Sequence, residues 1–457
     1  AAGSGTGPVC AAVPAPTTGH IKMGTAVSPK ALRAHPLAID GFVVDGRLRM
    51  DFGFSQEWHH TPTIEALAQA FTRALRELIH RRHSEDARKR TPSDFPLARL
   101  SQASLDAVLA SQGSTVEDLF PLSALQEGML FHALNDPEAG FYFEQTAWSV
   151  HSDVDLALFQ RTWQTAVDRN PILRTAFVWK DLEAPLQAVH SRAALPFEAH
   201  DWRHLPEPEQ QAGLERLMAD ERARGFDVSR APLSRMTAVR LGDARWRFVW
   251  SHHHLLLDGW SLALFFQEVF ALYDALSAGR PLPAAGRPPF RDYIAWLGQR
   301  DAAGDERFWR GQLGGLSSPT PLPAVRLSSS NPTGTVNQPH QVLTLPEART
   351  AALEGFARQH RITVNTLTQA AWALVLARHA DTRDVLFGTT FAGRPPELTG
   401  SETMLGLLIS TLPVRVTLPD EDAPVLPWLQ SLQARLLDLQ QHQHTPLVAA
   451  QGWSDIP

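Results

Sequence analysis

The chain has 457 residues, 44% of them hydrophobic, and a net charge of −6 with no concentrated source, which predicts solubility more than any particular partner. Its one cysteine, Cys10, excludes a disulfide framework and any cysteine-built metal site, and fits a reducing cytoplasm. No apolar run approaches the ~20 residues needed to span a bilayer.

The chain opens without a signal-peptide pattern, on Ala1 in a Gly/Ala/Pro-rich irregular stretch, and reads as a fragment of something longer. "GFVVDGRLRMDFGF" predicts two short strands around an Asp45-Gly46 turn. The following "TPTIEALAQAFTRALRELIHR" places Ile64, Leu67, Ala68, Phe71, Leu75, Leu78 and Ile79 on one helical face, with Thr61 as cap and Pro62 in the first turn. Hairpin and helix are too small for an independent core, so residues 1–90 read as the tail of some fold. The basic cluster "HRRHSEDARKR" at 80–90 contains acids and no interleaved aromatics, and reads as a solvated linker with no nucleic-acid role. Residues 91–114 read as a linker with a short helix. From there amphipathic helices mix with apolar strands, and the Pro/Gly-rich "GRPLPAAGRPPF" at 279–290 marks a crossing between two lobes, 115–285 and 286–457. "LTQAAWALVLARHA" at 367–380 reads as a buried helix.

The stretch with most chemistry is "RWRFVWSHHHLLLDGWS". Strand alternation puts Trp246, Phe248, Trp250, His252 and His254 on one face and Arg247, Val249, Ser251 and His253 on the other. At Asp258-Gly259 the chain turns, and a helical pattern begins near Ser261. A histidine at such a strand-to-helix junction can take a proton near neutral pH. The aspartate either orients that imidazole directly or braces the loop by pairing with a cation; spacing does not choose between them. Neighbouring histidines on a strand point opposite ways, so at most two can share a metal, and no third ligand lies nearby. No G-x-S-x-G elbow signals a nucleophilic serine. The bland alternative is a structural histidine cluster.

"HHLLLDG", His253 to Gly259, resembles the HHxxxDG signature of condensation domains of non-ribosomal peptide synthetases, shared in part by other acyltransferases of the chloramphenicol acetyltransferase type. "LSALQEGMLFHAL" at 122–134 resembles that family's opening motif. "RNPILRTAF" at 169–177 resembles R-H-E-x-L-R-T-x-F, with Asn170 and Pro171 in place of histidine and glutamate. "FRDYIAWL" at 290–297, "MLGLLISTLPVRV" at 404–416 and "HQHTPL" at 442–447 resemble later motifs in the same order, with Ser410 where asparagine is usual. Residues 1–90 resemble the end of a sibling epimerization domain, or of another condensation-type domain, and "PSDFPLARLSQASLD" resembles the connector between such domains.

The resemblance implies a mixed α/β, two-lobed chloramphenicol acetyltransferase-like fold with the active site in a tunnel between lobes, the second lobe truncated. It implies amide formation between two substrates held on the phosphopantetheine of donor and acceptor carrier domains, with epimerization and adenylation domains as neighbours, no cofactor bound by the domain itself, and no nucleic acid or membrane. Among the motif residues His254, His253, Asp258 and Gly259, it makes His254 the active residue, positioning the acceptor amine and taking its proton. It makes Asp258 a structural partner of Arg174 beneath the site, and Gly259 a place where backbone approaches substrate. His253 packs away from the tunnel, while His252, Trp260 and Ser410 are candidate tunnel lining. The epimerization-like tail implies a donor ending in a D-residue. The competing readings are an epimerization domain, a free-standing acyltransferase using coenzyme A thioesters, and a degenerate domain that only docks carriers.

Overall fold

The computed structural model describes residues 35–81, 89–136, 140–284, 286–316, 318–321 and 341–456. The opening irregular stretch, Cys10 and most of the basic cluster at 80–90 lie outside them. The chain divides into two compact units, 1–90 and 91–457.

In the first unit, β1 (Leu37–Val44) and β2 (Arg47–Phe54) pair antiparallel with Val44 opposite Arg47. The two linking residues, Asp45 and Gly46, both have positive φ (49° and 73°), as the expected tight hairpin requires. Helix α1 (Thr61–Arg81) follows, so Thr61 is its first residue and not its cap. Of the expected apolar stripe only Ile64 is buried, while Phe71 meets Phe52 edge-on at 6.0 Å.

The second unit begins with a short 3-10 turn, Pro92–Asp94, and α2 (Gln102–Gln112), capped by the Ser101 hydroxyl. The short helix expected of this linker is present, and the residues around it pack against the strands that follow. Phe95, Leu105 and Val108 are buried against Val116, Leu119, Val178, Leu186 and Ala188, so the segment carries an apolar anchor. There follow β3 (Val116–Pro121), α3 (Ala124–Asn135), β4 (Phe143–Val150), α4 (Leu156–Arg169), β5 (Thr175–Val178), β6 (Leu186–His190) and β7 (Phe197–Asp201). Helix α5 (Glu207–Arg224), β8 (Ser234–Gly242), β9 (Arg245–His253) and α6 (Gly259–Ser277) complete the first half. One sheet has the order β4-β9-β8-β7, with only β7 and β8 parallel; a second has the order β3-β6-β5. The predicted β9 alternation is realised, since Trp246, Phe248, Trp250, Trp163 and Phe265 share one aromatic core.

The remaining elements are α7 (Phe290–Leu297), α8 (Ala302–Leu313), α9 (Glu347–His360), α10 (Val364–Ala380), β10 (Asp384–Phe391), β11 (Ser410–Thr417), α11 (Val425–Gln441) and α12 (Leu447–Gly452). Strands β10 and β11 form an antiparallel pair, and with the helices around them they enclose a separate core built on Trp309, Ala373, Leu412, Val414, Leu432 and Leu439. Among the described residues the buried apolar side chains form three clusters, and they do not divide where the Pro/Gly-rich segment suggested. Phe290, Tyr293 and Ile294 of α7, and Met404–Leu408, pack into the first core. Helix α10 is only half buried, with Ala370, Ala373 and Ala377 inside and Trp372 and Val375 exposed. No helix among the described residues is long and apolar enough to cross a membrane.

Candidate active site

Strand β9 ends at His253, and the chain turns through His254–Leu257 into α6. That turn is held from three sides. The His254 N–H donates to the Tyr142 carbonyl (2.8 Å), and the Asp258 N–H donates to the Gly406 carbonyl (3.1 Å). Gln126, fully buried in α3, donates from Nε2 to the Leu255 carbonyl at 3.0 Å. The Q-E-G-M segment thus reaches the histidine loop through one side-chain amide.

His254 is anchored at one nitrogen and open at the other. Its Nδ1 lies 2.7 Å from the Leu257 carbonyl, which can only accept, so Nδ1 carries the proton and Nε2 is left with a lone pair. The side chain is 24% exposed, enough for a reactant to reach it. The residue opposite His252 on β4 is Glu144, whose Oε2 is 3.3 Å from His252 Nε2 and whose Oε1 is 3.7 Å from His254 Nε2. One carboxylate therefore meets both histidines of one face and not His253, as strand alternation requires. The His252 contact holds the Glu144 carboxyl below its ordinary range against burial, which raises it, and His254 adds to the lowering.

His253 points elsewhere. It is buried, and its Nδ1 accepts from the Leu255 N–H at 3.2 Å. Burial, then repulsion from His252 and His254, pushes its pKa down to about 4, so it is neutral at pH 7. His252 is 0% exposed and stacked on Trp250 at 4.3 Å, so it underlies the site and does not line an open tunnel.

Asp258 is fully buried and caps α6, accepting from the Ser261 N–H at 2.7 Å. Its cation is Arg394, not Arg174. Arg394 binds it bidentately at 3.0 and 3.1 Å, and the Leu408 N–H donates to Oδ2 at 3.0 Å. The expected Asp258–Arg174 pair does not form because Arg174 is already committed to Glu117 (3.0 Å) and the His190 carbonyl, bracing β3 against β6. Of the two roles left open for the aspartate, the structure shows the pairing with a cation. Ser261 extends the node: its hydroxyl donates to the Gly406 carbonyl (2.8 Å) and accepts from the Gly406 N–H (3.1 Å). Gly406 has no alternative, since a Cβ there would fall inside the Phe290 ring. A Cβ on Gly259 would instead meet no protein atom within 4 Å, so the protein itself does not demand glycine at that position.

Trp260 is half exposed, donates to the Glu402 carbonyl at 3.0 Å, and lies under the Arg394 guanidinium at 5.3 Å. Ser410 opens β11 opposite Phe391, and its hydroxyl has no hydrogen-bond partner among the described residues. The sequence reading missed Glu144 and Arg394. Arg394 sits in "FAGRPPE", where nothing in the neighbouring residues ties it to Asp258.

The family model described as Condensation domain matches residues 116–455. The chain is 43% identical to one of the linear gramicidin synthase proteins of Brevibacillus parabrevis, over 94% of its own length and 8% of that protein. It is 41% identical to a second protein of the same synthase, over 95% of this chain and 6% of that protein. Bacitracin synthase 3 of Bacillus licheniformis is 30% identical over 95% of this chain and 7% of its own length. The chain thus spans less than a tenth of these relatives. Among solved structures, the starter condensation domain of rhizomide synthetase superposes with a TM-score of 0.62 at 21% identity, covering 78% of each chain. The first condensation domain of the calcium-dependent antibiotic synthetase gives 0.57 at 22%, over 71% of this chain and 74% of that one. The second unit has the chloramphenicol acetyltransferase-like fold of these domains, and the chain belongs to the condensation-domain family of non-ribosomal peptide synthetases.

Proposed function

We propose that the chain joins two carrier-bound substrates by an amide bond, with His254 as the residue that meets the reacting amine. The amine nitrogen bonds to the donor thioester carbonyl carbon and the C–S bond breaks. The proton lost by the amine passes by way of His254 Nε2 to the departing thiolate, leaving an amide and a free phosphopantetheine thiol. The observation that carries this reading is the contact of His254 Nδ1 with the Leu257 carbonyl on a part-exposed side chain, which leaves the Nε2 lone pair free to accept a proton. Aminolysis of a thioester is downhill, so holding amine and carbonyl at attack distance is the larger contribution, up to ~7–11 kcal/mol. A general base adds ~10²–10⁴-fold.

The substrates arrive on the phosphopantetheine arms of an upstream donor and a downstream acceptor carrier, in a cytoplasmic synthetase that also contains epimerization and adenylation domains. Residues 1–90 are read as the end of the upstream epimerization-type domain. In support, the matches to the two gramicidin synthase proteins cover 94% and 95% of this chain, and so include most of that segment. The donor then ends in a D-residue.

The test presents the chain with separately loaded donor and acceptor carriers, and with coenzyme A thioesters for comparison. His254→Ala is expected to abolish amide formation from the carriers without unfolding the chain, and His253→Ala to retain more activity. A donor ending in the D-epimer is expected to react faster than its L-counterpart. Full activity in His254→Ala would remove the assigned role. Preference for the L-donor would make the first unit the end of an ordinary condensation domain.

A further inference from the structure

Glu144 is the one carboxylate in contact with the reacting histidine among the described residues. It stands on β4 directly opposite His252, and its two oxygens are divided, 3.3 Å to His252 Nε2 and 3.7 Å to His254 Nε2. His252 is fully buried and stacked on Trp250, so its ring is fixed beside the carboxylate. His254 is fixed at its other nitrogen by the Leu257 carbonyl. The separation on the His254 side is longer than a hydrogen bond, so the base nitrogen is not consumed by the carboxylate while neutral.

We propose that Glu144 is a positioning residue for amide formation, a fixed negative charge that aims the His254 ring and stabilises the imidazolium formed as His254 takes the amine's proton. The inference rests on the reading of His254 as proton acceptor. Other groups around the ring do not supply that charge. His253 on β9 is neutral and buried, His252 is the second imidazole on the same carboxylate, and Tyr142 holds its proton with a pKa raised by burial. The Asp258 carboxylate, at the start of α6, is neutralised by Arg394. Only Glu144 presents an uncompensated anion to Nε2 among these neighbours. An opposite charge at such range raises a histidine's pKa. Before transfer, it is the Leu257 carbonyl that keeps the proton on Nδ1 and leaves Nε2 as the acceptor.

The experiment compares the full chain with its Glu144→Gln and Glu144→Asp variants in two measurements. In ¹³C-histidine NMR titrations, with the His254 signal assigned by its loss in His254→Ala, Glu144→Gln is expected to lower the His254 pKa by about one pH unit and Glu144→Asp by less. In single-turnover condensation on loaded carriers, Glu144→Gln is expected to slow the reaction about tenfold and move the acidic limb of the pH–rate profile downward. The direction is diagnostic, because a weaker base is deprotonated at lower pH, whereas general damage lowers the rate without moving the limb. An unchanged His254 pKa in a folded Glu144→Gln protein overturns the proposal. A shifted pKa with a condensation rate that does not depend on His254 overturns instead the functional reading on which the proposal rests.

Discussion

Asp258 and Arg394 form a bidentate ion pair whose carboxylate is inaccessible to solvent, and they lie 136 residues apart. The same carboxylate caps α6 and accepts from the Leu408 N–H, so one side chain ties the histidine loop, the helix after it and the segment at 404–408. Neither partner contacts a histidine of the motif through a hydrogen bond. The node fixes where the loop stands, and the loop fixes His254.

Breaking this pair strands a buried charge, which typically costs ~3–5 kcal/mol. Asp258→Asn and Arg394→Ala are each expected to lower stability by about that much, and the double variant by clearly less than the sum. Arg174→Ala is expected to be additive with Asp258→Asn, because Arg174 serves Glu117 and the His190 carbonyl. Chemical-denaturation curves for the single and double variants measure both cycles. Non-additivity with Arg174 and additivity with Arg394 would reverse the assignment.

His253 makes folding pH-dependent. Its folded pKa of about 4 lies below the unfolded value of 6.5, so the unfolded chain binds its proton first. Stability from this group is complete above about pH 6.5 and declines as pH falls toward 4, by about 3 kcal/mol across the window. His253→Gln, which cannot be protonated, is expected to flatten that part of the profile. Urea midpoints between pH 7.5 and 4.5 test it; parallel curves for both proteins would disprove the assignment.

What the sequence made legible was local. The Asp45-Gly46 hairpin, the β9 alternation and the turn before α6 each follow from neighbours within a few residues. Pairings between distant segments were not legible. Glu144 is an ordinary charged residue in β4 until the register sets it opposite His252. The 91–114 segment reads as a linker by its resemblance to the connector between such domains, while the burial of Phe95, Leu105 and Val108 depends on strands as far away as β6. The arginine for Asp258 was assigned by resemblance to Arg174, and only the fold shows that another guanidinium occupies the carboxylate.

Gly259 and Gly406 separate two reasons for a glycine. Gly406→Ala drives a Cβ into the Phe290 ring and is expected to unfold or strongly destabilise the second unit. Gly259→Ala meets no protein atom within 4 Å and is expected to fold with a melting temperature close to that of the parent. If the space beside Gly259 is where substrate backbone passes, the same variant loses condensation activity while remaining folded. A fully active Gly259→Ala protein would leave that space without a role in substrate approach.

Gln126 gives the most direct test of how the turn is held. Its amide donates to the Leu255 carbonyl and to Gln187 Oε1 at 3.2 Å, both in the interior. Gln126→Glu preserves shape but replaces the donor with an acceptor facing two acceptors, so the variant must bury a charge or a proton. Gln126→Leu removes the donor and strands the Leu255 carbonyl, at a cost of ~1–3 kcal/mol. Both are expected to destabilise the chain, the glutamate more strongly at pH 8 than at pH 5, since protonation restores an O–H donor to the pair of acceptors. The effect should also reach the chemistry, because Leu255 adjoins His254 and displacement of the turn moves Nε2 away from Glu144. Hydrogen-exchange protection of the His254 N–H, which donates to Tyr142, reports that displacement directly. Unchanged protection in Gln126→Leu would mean that the Tyr142 and Gly406 contacts alone suffice to hold the loop.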